Sequence, residues 1–188
     1  MVPMNMEIVW HGRGGQGVVT ANEILAESAI DSGKYVKAFP EFGPERMGAP
    51  IKGFTRISDR PVRVHSQVYE PDIVIVIDGT LIGNINVTAG LKEDGFILAN
   101  YDGTPEELQK AIGTEVECHT VNATKISIEE IGRPMANTSM LGALVKINPI
   151  VDFDILSDHI VKKLGGKLPE KVVQKNLIAL KRAYEEVQ

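Results

Sequence analysis

The sequence has a single cysteine, Cys118, in 188 residues. One thiolate cannot supply the set of cysteine ligands that an iron–sulfur cluster needs. Nor can it close an intrachain disulfide, so cysteine usage points to a reducing, cytoplasmic setting. No apolar run approaches the ~20 residues of a transmembrane helix. Met1 to Met6 lacks the basic start and apolar core of a signal peptide. The histidines are His11, His65, His119 and His159, and no two stand at the spacing of a metal pair on a helix. There is no Gly-x-Ser-x-Gly elbow, no Walker A sequence, no internal repeat and no low-complexity tract.

Positive charge is also in deficit, with 20 Lys and Arg against 25 Asp and Glu, a net charge of -5. A chain of this sign is a poor nucleic-acid binder, because phosphate neutralisation needs clustered basic charge. The distribution is uneven. Lys34 to His65 holds seven basic and three acidic residues, a local +4, whereas Ser66 to Glu130 holds three and twelve, a local -9. The basic stretch is read as a solvated face, or as a surface for an anionic ligand or acidic partner. Hydrophobic residues make up 43% and charged residues 24%, and the mean hydropathy is -0.03. These are globular values, and the length fits one domain, spanning 1–188, rather than two.

The apolar pattern alternates between strand and helix. Met6–Trp10 reads as a strand, Gly12–Gly17 as a glycine-rich turn, and Val18–Ser32 as a helix stopped by Gly33. Tyr35–Phe39 is a second strand. Ile51–Ser58 and Val62–Val64 are expected to form a hairpin about Asp59-Arg60. Ile73–Ile77, an unbroken β-branched run, suits a strand buried on both faces. A weak helix over Thr80–Leu91, a strand at Phe96–Ala99, a helix at Pro105–Ile112 and a strand at Glu115–Val121 follow. From about Asn137 the chain reads as helical, with helices at Asn137–Ile147, Phe153–Leu164 and Pro169–Val187 and a conceivable linker at 149–152. The expected fold is therefore α/β: a three-layer α/β/α domain with a mainly parallel sheet and a helical C-terminal third.

Two stretches carry the chemistry. In the first, Gly12, Arg13, Gly14, Gly15, Gln16 and Gly17 lie between a strand and a helix. Glycines permit positive φ and close backbone approach. A helix start aims unpaired N–H groups at the turn, a setting for a phosphate or carboxylate. Arg13 and Gln16 add side-chain donors. The spacing Gly12-x-Gly14-x-x-Gly17 matches the dinucleotide fingerprint. That fingerprint also expects an acidic residue ending the second strand about 20 residues on, and here Glu41 falls just beyond Pro40. The bland alternative is a tight strand–helix turn with no ligand. The second stretch, Glu41–Pro50, is long and rich in turn-formers, with Phe42, Glu45, Arg46 and Met47 as candidate interface residues. Nothing beside it supplies a nucleophile or a metal set, so no catalytic residue is assigned. Asp78, ending the apolar strand, reads as the cap of the following helix, with Gly79 and Thr80 in the turn.

Together these stretches resemble a known family. His11-Gly12-Arg13-Gly14-Gly15-Gln16-Gly17-Val18-Val19-Thr20-Ala21, then Phe42-Gly43-Pro44-Glu45-Arg46-Met47-Gly48-Ala49-Pro50, then Asn137-Thr138-Ser139-Met140-Leu141-Gly142-Ala143 resemble, in that order, the gamma subunits of 2-oxoacid:ferredoxin oxidoreductases. The pyruvate:ferredoxin oxidoreductase (pyruvate synthase) branch is the most similar. The resemblance implies an accessory subunit of an enzyme that converts a 2-oxoacid and coenzyme A to acyl-CoA and CO2 while reducing ferredoxin. It implies that thiamine diphosphate and 4Fe-4S clusters sit on alpha, beta and delta type partner subunits, and that this chain holds none, contacts coenzyme A and is inactive alone. The acidic net charge and the lack of a long apolar run lead us to expect no nucleic-acid or membrane partner. A stand-alone NAD-dependent oxidoreductase using Gly12–Gly17, and a purely structural scaffold, remain the alternatives.

Overall fold

The computed structural model describes residues 4–41 and 46–188. A six-stranded sheet runs in the order β2-β3-β1-β4-β5-β6. Its strands are β1 (Asn5–Arg13), β2 (Tyr35–Pro40), β3 (Pro50–Ser58), β4 (Ile73–Val76), β5 (Phe96–Asn100) and β6 (Glu117–Val121). β1, β4, β5 and β6 are mutually parallel, while β3 lies antiparallel between β2 and β1. The sheet is thus mainly parallel, and its helices are α1 (Val18–Asp31), α2 (Pro105–Ile112), α3 (Ala123–Ile131), α4 (Asn137–Ile147), α5 (Phe153–Gly165) and α6 (Glu170–Glu186).

The period-2 alternation of β4 divides the core. Ile73, Ile75 and Ile77 face the larger apolar cluster, built with α1 and α3 to α6, and Val74 and Val76 face a smaller one with Leu108 of α2. Under α1 a buried polar chain is satisfied internally. Trp10 Nε1 donates to Thr55 Oγ1 at 2.9 Å, Thr55 donates to Asn22, and Asn22 Nδ2 donates to the Phe54 carbonyl at 3.1 Å. Helix α2 starts at a Thr104/Glu107 capping box and stops at left-handed Gly113.

Five features depart from the sequence reading. β1 continues through Gly12 and Arg13, because β3 pairs with it along its whole length. The partners of β3 are β2 and β1, and residues 62–64 form no strand. Instead the coil after β3 crosses the sheet face, held by Arg56, whose guanidinium donates to the Ser66 and Gln67 carbonyls. The Thr80–Leu91 stretch forms only a 3-10 turn over Gly79–Leu81; Gly83 and Gly90 take positive φ there, which an α-helix excludes. A helix over Ala123–Ile131 precedes the one at Asn137. At 149–152, Ile150 and Val151 are buried in the main core, so no free linker runs there. Among the described residues, no helix is long and apolar enough to cross a membrane.

Helices α4 and α6 meet closely at Gly142, where an added Cβ would lie 2.1 Å from the Leu180 carbonyl oxygen. In an exposed helix, Gly→Ala gains about 1 kcal/mol. At Gly142 the sign reverses, since overpacking against backbone costs about 1–3 kcal/mol. Gly142→Ala is expected to lower the urea unfolding midpoint; a raised midpoint would show that the helices separate without penalty.

Candidate functional site

The connection after β1 covers one face of the sheet through α1, and the connection after β4 covers the other, where Val87 packs against Val74 and Val76. The strand ends of β1 and β4 therefore form a topological switch point, the crevice in which open α/β sheets place ligands. Two groups face each other across it: the glycine turn, and Asp78 with Thr80.

Arg13, the last residue of β1, points its side chain at Asp78, with Nε 3.1 Å from Oδ2. Its other donors reach Thr80 Oγ1 at 3.1 Å and the Gly48 carbonyl at 3.2 Å. Gln16 ties the turn to itself and to Asp78. Its Oε1 accepts from Arg13 N–H at 2.7 Å and its Nε2 donates to Asp78 Oδ2 at 2.6 Å. Asp78 also accepts from the Thr80 N–H at 2.9 Å, so it is the cap expected of it and, beyond that, the anchor of Arg13 and Gln16. Burial pushes its carboxyl up, but hydrogen bonds from Thr80 and Gln16 and the Arg13 charge outweigh this and hold it below the usual carboxylate range.

The backbone of the turn is partly committed. Gly14 N–H donates to the Ala49 carbonyl at 2.9 Å, and Gln16 N–H to the Arg13 carbonyl at 3.2 Å. Gly15 and Gly17 have φ of 88° and 77°, values open to glycine and strained for most residues. Gly17 is the N-cap of α1 and no side chain caps that end. Among the described residues, the N–H groups of Gly15, Gly17 and Val18 have no acceptor.

The three separated segments meet here. Gly14 forms a β-bridge with Met47. A Cβ on Gly15 would lie 2.4 Å from Met47 Sδ, and one on Gly17 2.4 Å from Asn137 Nδ2. Met47 is nevertheless 87% exposed, and Arg46 beside it is exposed. Phe42 and Glu45 lie outside the described residues. Gly12 sits within β1 opposite Ile51 and against Val18. His11 is buried on the sheet face below, away from the turn surface. Glu41 is two strands from β1 and accepts from Gln67 Nε2 at 3.1 Å. The place that a ribose-holding acid takes beside β1 is filled by antiparallel β3, so the dinucleotide fingerprint is incomplete in space as well as in sequence.

Residues 7–186 match the family model of pyruvate ferredoxin/flavodoxin oxidoreductase. The chain belongs to that family. It is 47% identical over 181 residues, covering 96% of this chain and 94% of the relative, to the pyruvate synthase subunit PorC of Thermotoga maritima. The same identity over 181 residues, covering 96% of each, relates it to the common gamma subunit of the pyruvate/ketoisovalerate oxidoreductases of Thermococcus litoralis. The crystal structure of the Thermotoga maritima pyruvate oxidoreductase subunit PORC superposes with a TM-score of 0.86 at 42% identity, covering 98% of this chain and 97% of that one. This gamma-type oxidoreductase subunit carries a donor set that does not fit an iron–sulfur cluster. Cys118 is its one cysteine, and burial, aided by Glu117, pushes that thiol up to about 11.

Proposed function

We propose that the chain is the accessory gamma subunit of a pyruvate (2-oxoacid):ferredoxin oxidoreductase, in which it supplies an assembly surface and contacts to coenzyme A. Thiamine diphosphate and 4Fe-4S clusters are assigned to alpha, beta and delta type partners, which decarboxylate the 2-oxoacid and reduce ferredoxin. The isolated chain has no turnover. The observation that carries the coenzyme A reading is the uncapped N-terminus of α1. Its Gly15 and Gly17 amides, without acceptors among the described residues, lie at the turn that Arg13 begins, an arrangement suited to a diphosphate. The exposed pair Arg46 and Met47 against the turn supports an interface that places this edge on a partner chain. The Thermococcus litoralis relative is named as common to pyruvate and ketoisovalerate enzymes, which supports a substrate pocket formed on other subunits.

The experiment is steady-state kinetics of the assembled complex with Arg13→Ala. A hydrogen bond to a charged group is worth about 1.5–3 kcal/mol, so KM for coenzyme A is expected to rise roughly tenfold or more. KM for the 2-oxoacid stays nearly constant, because that substrate reacts on another chain. Equal rises in both constants would assign the turn to assembly, and no change in either would leave it a strand–helix connection.

A further inference from the structure

The sheet ends at β2, two strands away from β1 and its glycine turn. Glu41 N–H donates to the Lys52 carbonyl at 2.9 Å, which continues the register that pairs Pro40 with Gly53. In an antiparallel ladder, residues bonded to the neighbouring strand alternate with residues that are not. Tyr35, Lys37 and Phe39 therefore turn their backbone groups toward β3, and Val36 and Ala38 turn theirs outward. Among the described residues, the Val36 and Ala38 N–H groups have no acceptor on that outer side. Such an edge is a template for another strand.

A groove of about 450 Å³ runs beside the same strand, lined by Lys37, Phe39, Pro40, Glu41, His65 and Gln67. Among the described residues no side chain of β3 lines it, so it opens on the outer flank of β2. Phe39 supplies an apolar wall, backed by Phe54 at 5.4 Å between ring centroids. Lys37 Nζ lies 2.9 Å from His65 Nε2, and Glu41 is taken up by Gln67. Arg60 and Arg63 are exposed on the coil that leads to His65. Among the described residues, Lys37, Arg60 and Arg63 have no carboxylate partner. Free backbone groups, an apolar pocket and unpaired positive charge thus lie along one strand. A strand added to β2 would present alternate side chains to this face. A residue entering beside Phe39 would have its second neighbour at Lys37. A second copy of the chain fits the edge poorly. The antiparallel pairing in which Val36 and Ala38 of both copies exchange bonds sets Lys37 directly opposite its counterpart, and like charges so placed are destabilising.

We propose that β2 is a docking edge that takes an extended acidic segment of a partner subunit as an added strand, with an apolar side chain against Phe39 and a carboxylate at Lys37. Main-chain bonds give such a contact its affinity, and the pocket and charge give it specificity. The assignment rests on the multi-subunit reading above and adds a second contact to the one at Arg46 and Met47. The test compares the isolated chain with the reconstituted complex by hydrogen exchange of the β2 amides, and measures the affinity of two variants for the partner subunits. Ala38→Pro removes an outward N–H, a change that edge strands tolerate, and leaves the bonds to β3 in place. Lys37→Glu reverses the charge without touching the backbone and covers the case in which proline disturbs the strand. On assembly, exchange at Val36 and Ala38 of the wild-type chain is expected to slow about tenfold or more, and each variant to weaken association about tenfold, the equivalent of about 1.4 kcal/mol. Assembly with exchange at both amides unchanged would overturn the docking edge and leave the subunit reading standing. Failure of the wild-type chain to associate with any partner subunit would remove both. Slowed exchange in the isolated chain that grows with its concentration, with a dimer in sedimentation, would give the edge to a second copy and overturn the proposal.

Discussion

Arg56→Ala is expected to cost about 3–5 kcal/mol of stability, the scale for removing one partner of a buried ion pair. Arg56 is 4% exposed. Its Nε lies 2.6 Å from Glu7 Oε1 on the neighbouring strand, and its terminal nitrogens hold the Ser66 and Gln67 carbonyls at 2.5 and 2.8 Å. Truncation would leave a carboxylate and two backbone acceptors without their donor, and would free the coil whose Val68 packs with Val9 and Phe54. Lysine recovers only part of this, since a point charge cannot reproduce a planar fork. The measurement is urea unfolding of the purified chain, with Glu7→Gln and the double variant completing a cycle. A loss below about 1 kcal/mol, within the range of a surface pair, would show that the coil docks by apolar contact alone.

Acidification is expected to weaken the fold through His11 before the carboxylates titrate. Burial and the Lys52 charge opposite it, slightly offset by the Val87 backbone, lower its pKa from 6.5 to about 4, and its Nδ1 has no partner among the described residues. The folded state thus holds this imidazole neutral while the unfolded state protonates it below 6.5. Between those values the unfolded chain carries more protons, so stability rises with pH and falls on acidification. The contribution is full above pH 6.5 and lost as pH approaches 4, a total of roughly 3 kcal/mol. Asp59 and Asp78, whose pKa values are lowered from 3.8, lose their contributions only below that window. Unfolding free energies measured from pH 7 to 4 should show a slope of about 1.4 kcal/mol per pH unit in wild type and little slope in His11→Gln. Parallel profiles would place the acid response elsewhere.

The local elements were largely legible because each is fixed by near neighbours. Ile73–Ile77 read as a strand buried on both faces, and its residues divide between the two cores as alternation requires. Helix α1 was found from its apolar stripe and Gly33, and α2 was expected at Pro105–Ile112, the span it takes. Helix α3 escaped notice because Thr124, Ile126 and Ile128 alternate in the manner of a strand and are β-branched, which lowers helix preference. The hairpin was misjudged because β3 chose between Val62–Val64 and two longer partners. That choice is made by pairing with β1, more than 35 residues away, as their Gly12–Ile51 register shows.

The order of charges, the single cysteine and the three spaced motifs belong to the sequence alone, and they sufficed to indicate an α/β subunit of this family without cluster ligands. What no spacing could state is that Gly14, Met47 and Asn137 meet, that Asp78 takes up both Arg13 and Gln16, or that β3 stands where a dinucleotide-binding sheet would put β2. These depend on contacts between residues 30 to 120 positions apart, such as Gly14 with Met47 and Gly17 with Asn137. Such contacts form only when burial of the shared core outweighs the entropy of closing the intervening chain. Local patterns fix which segments are strands and helices, and the packing of the whole sheet decides which side chains face one another across the crevice.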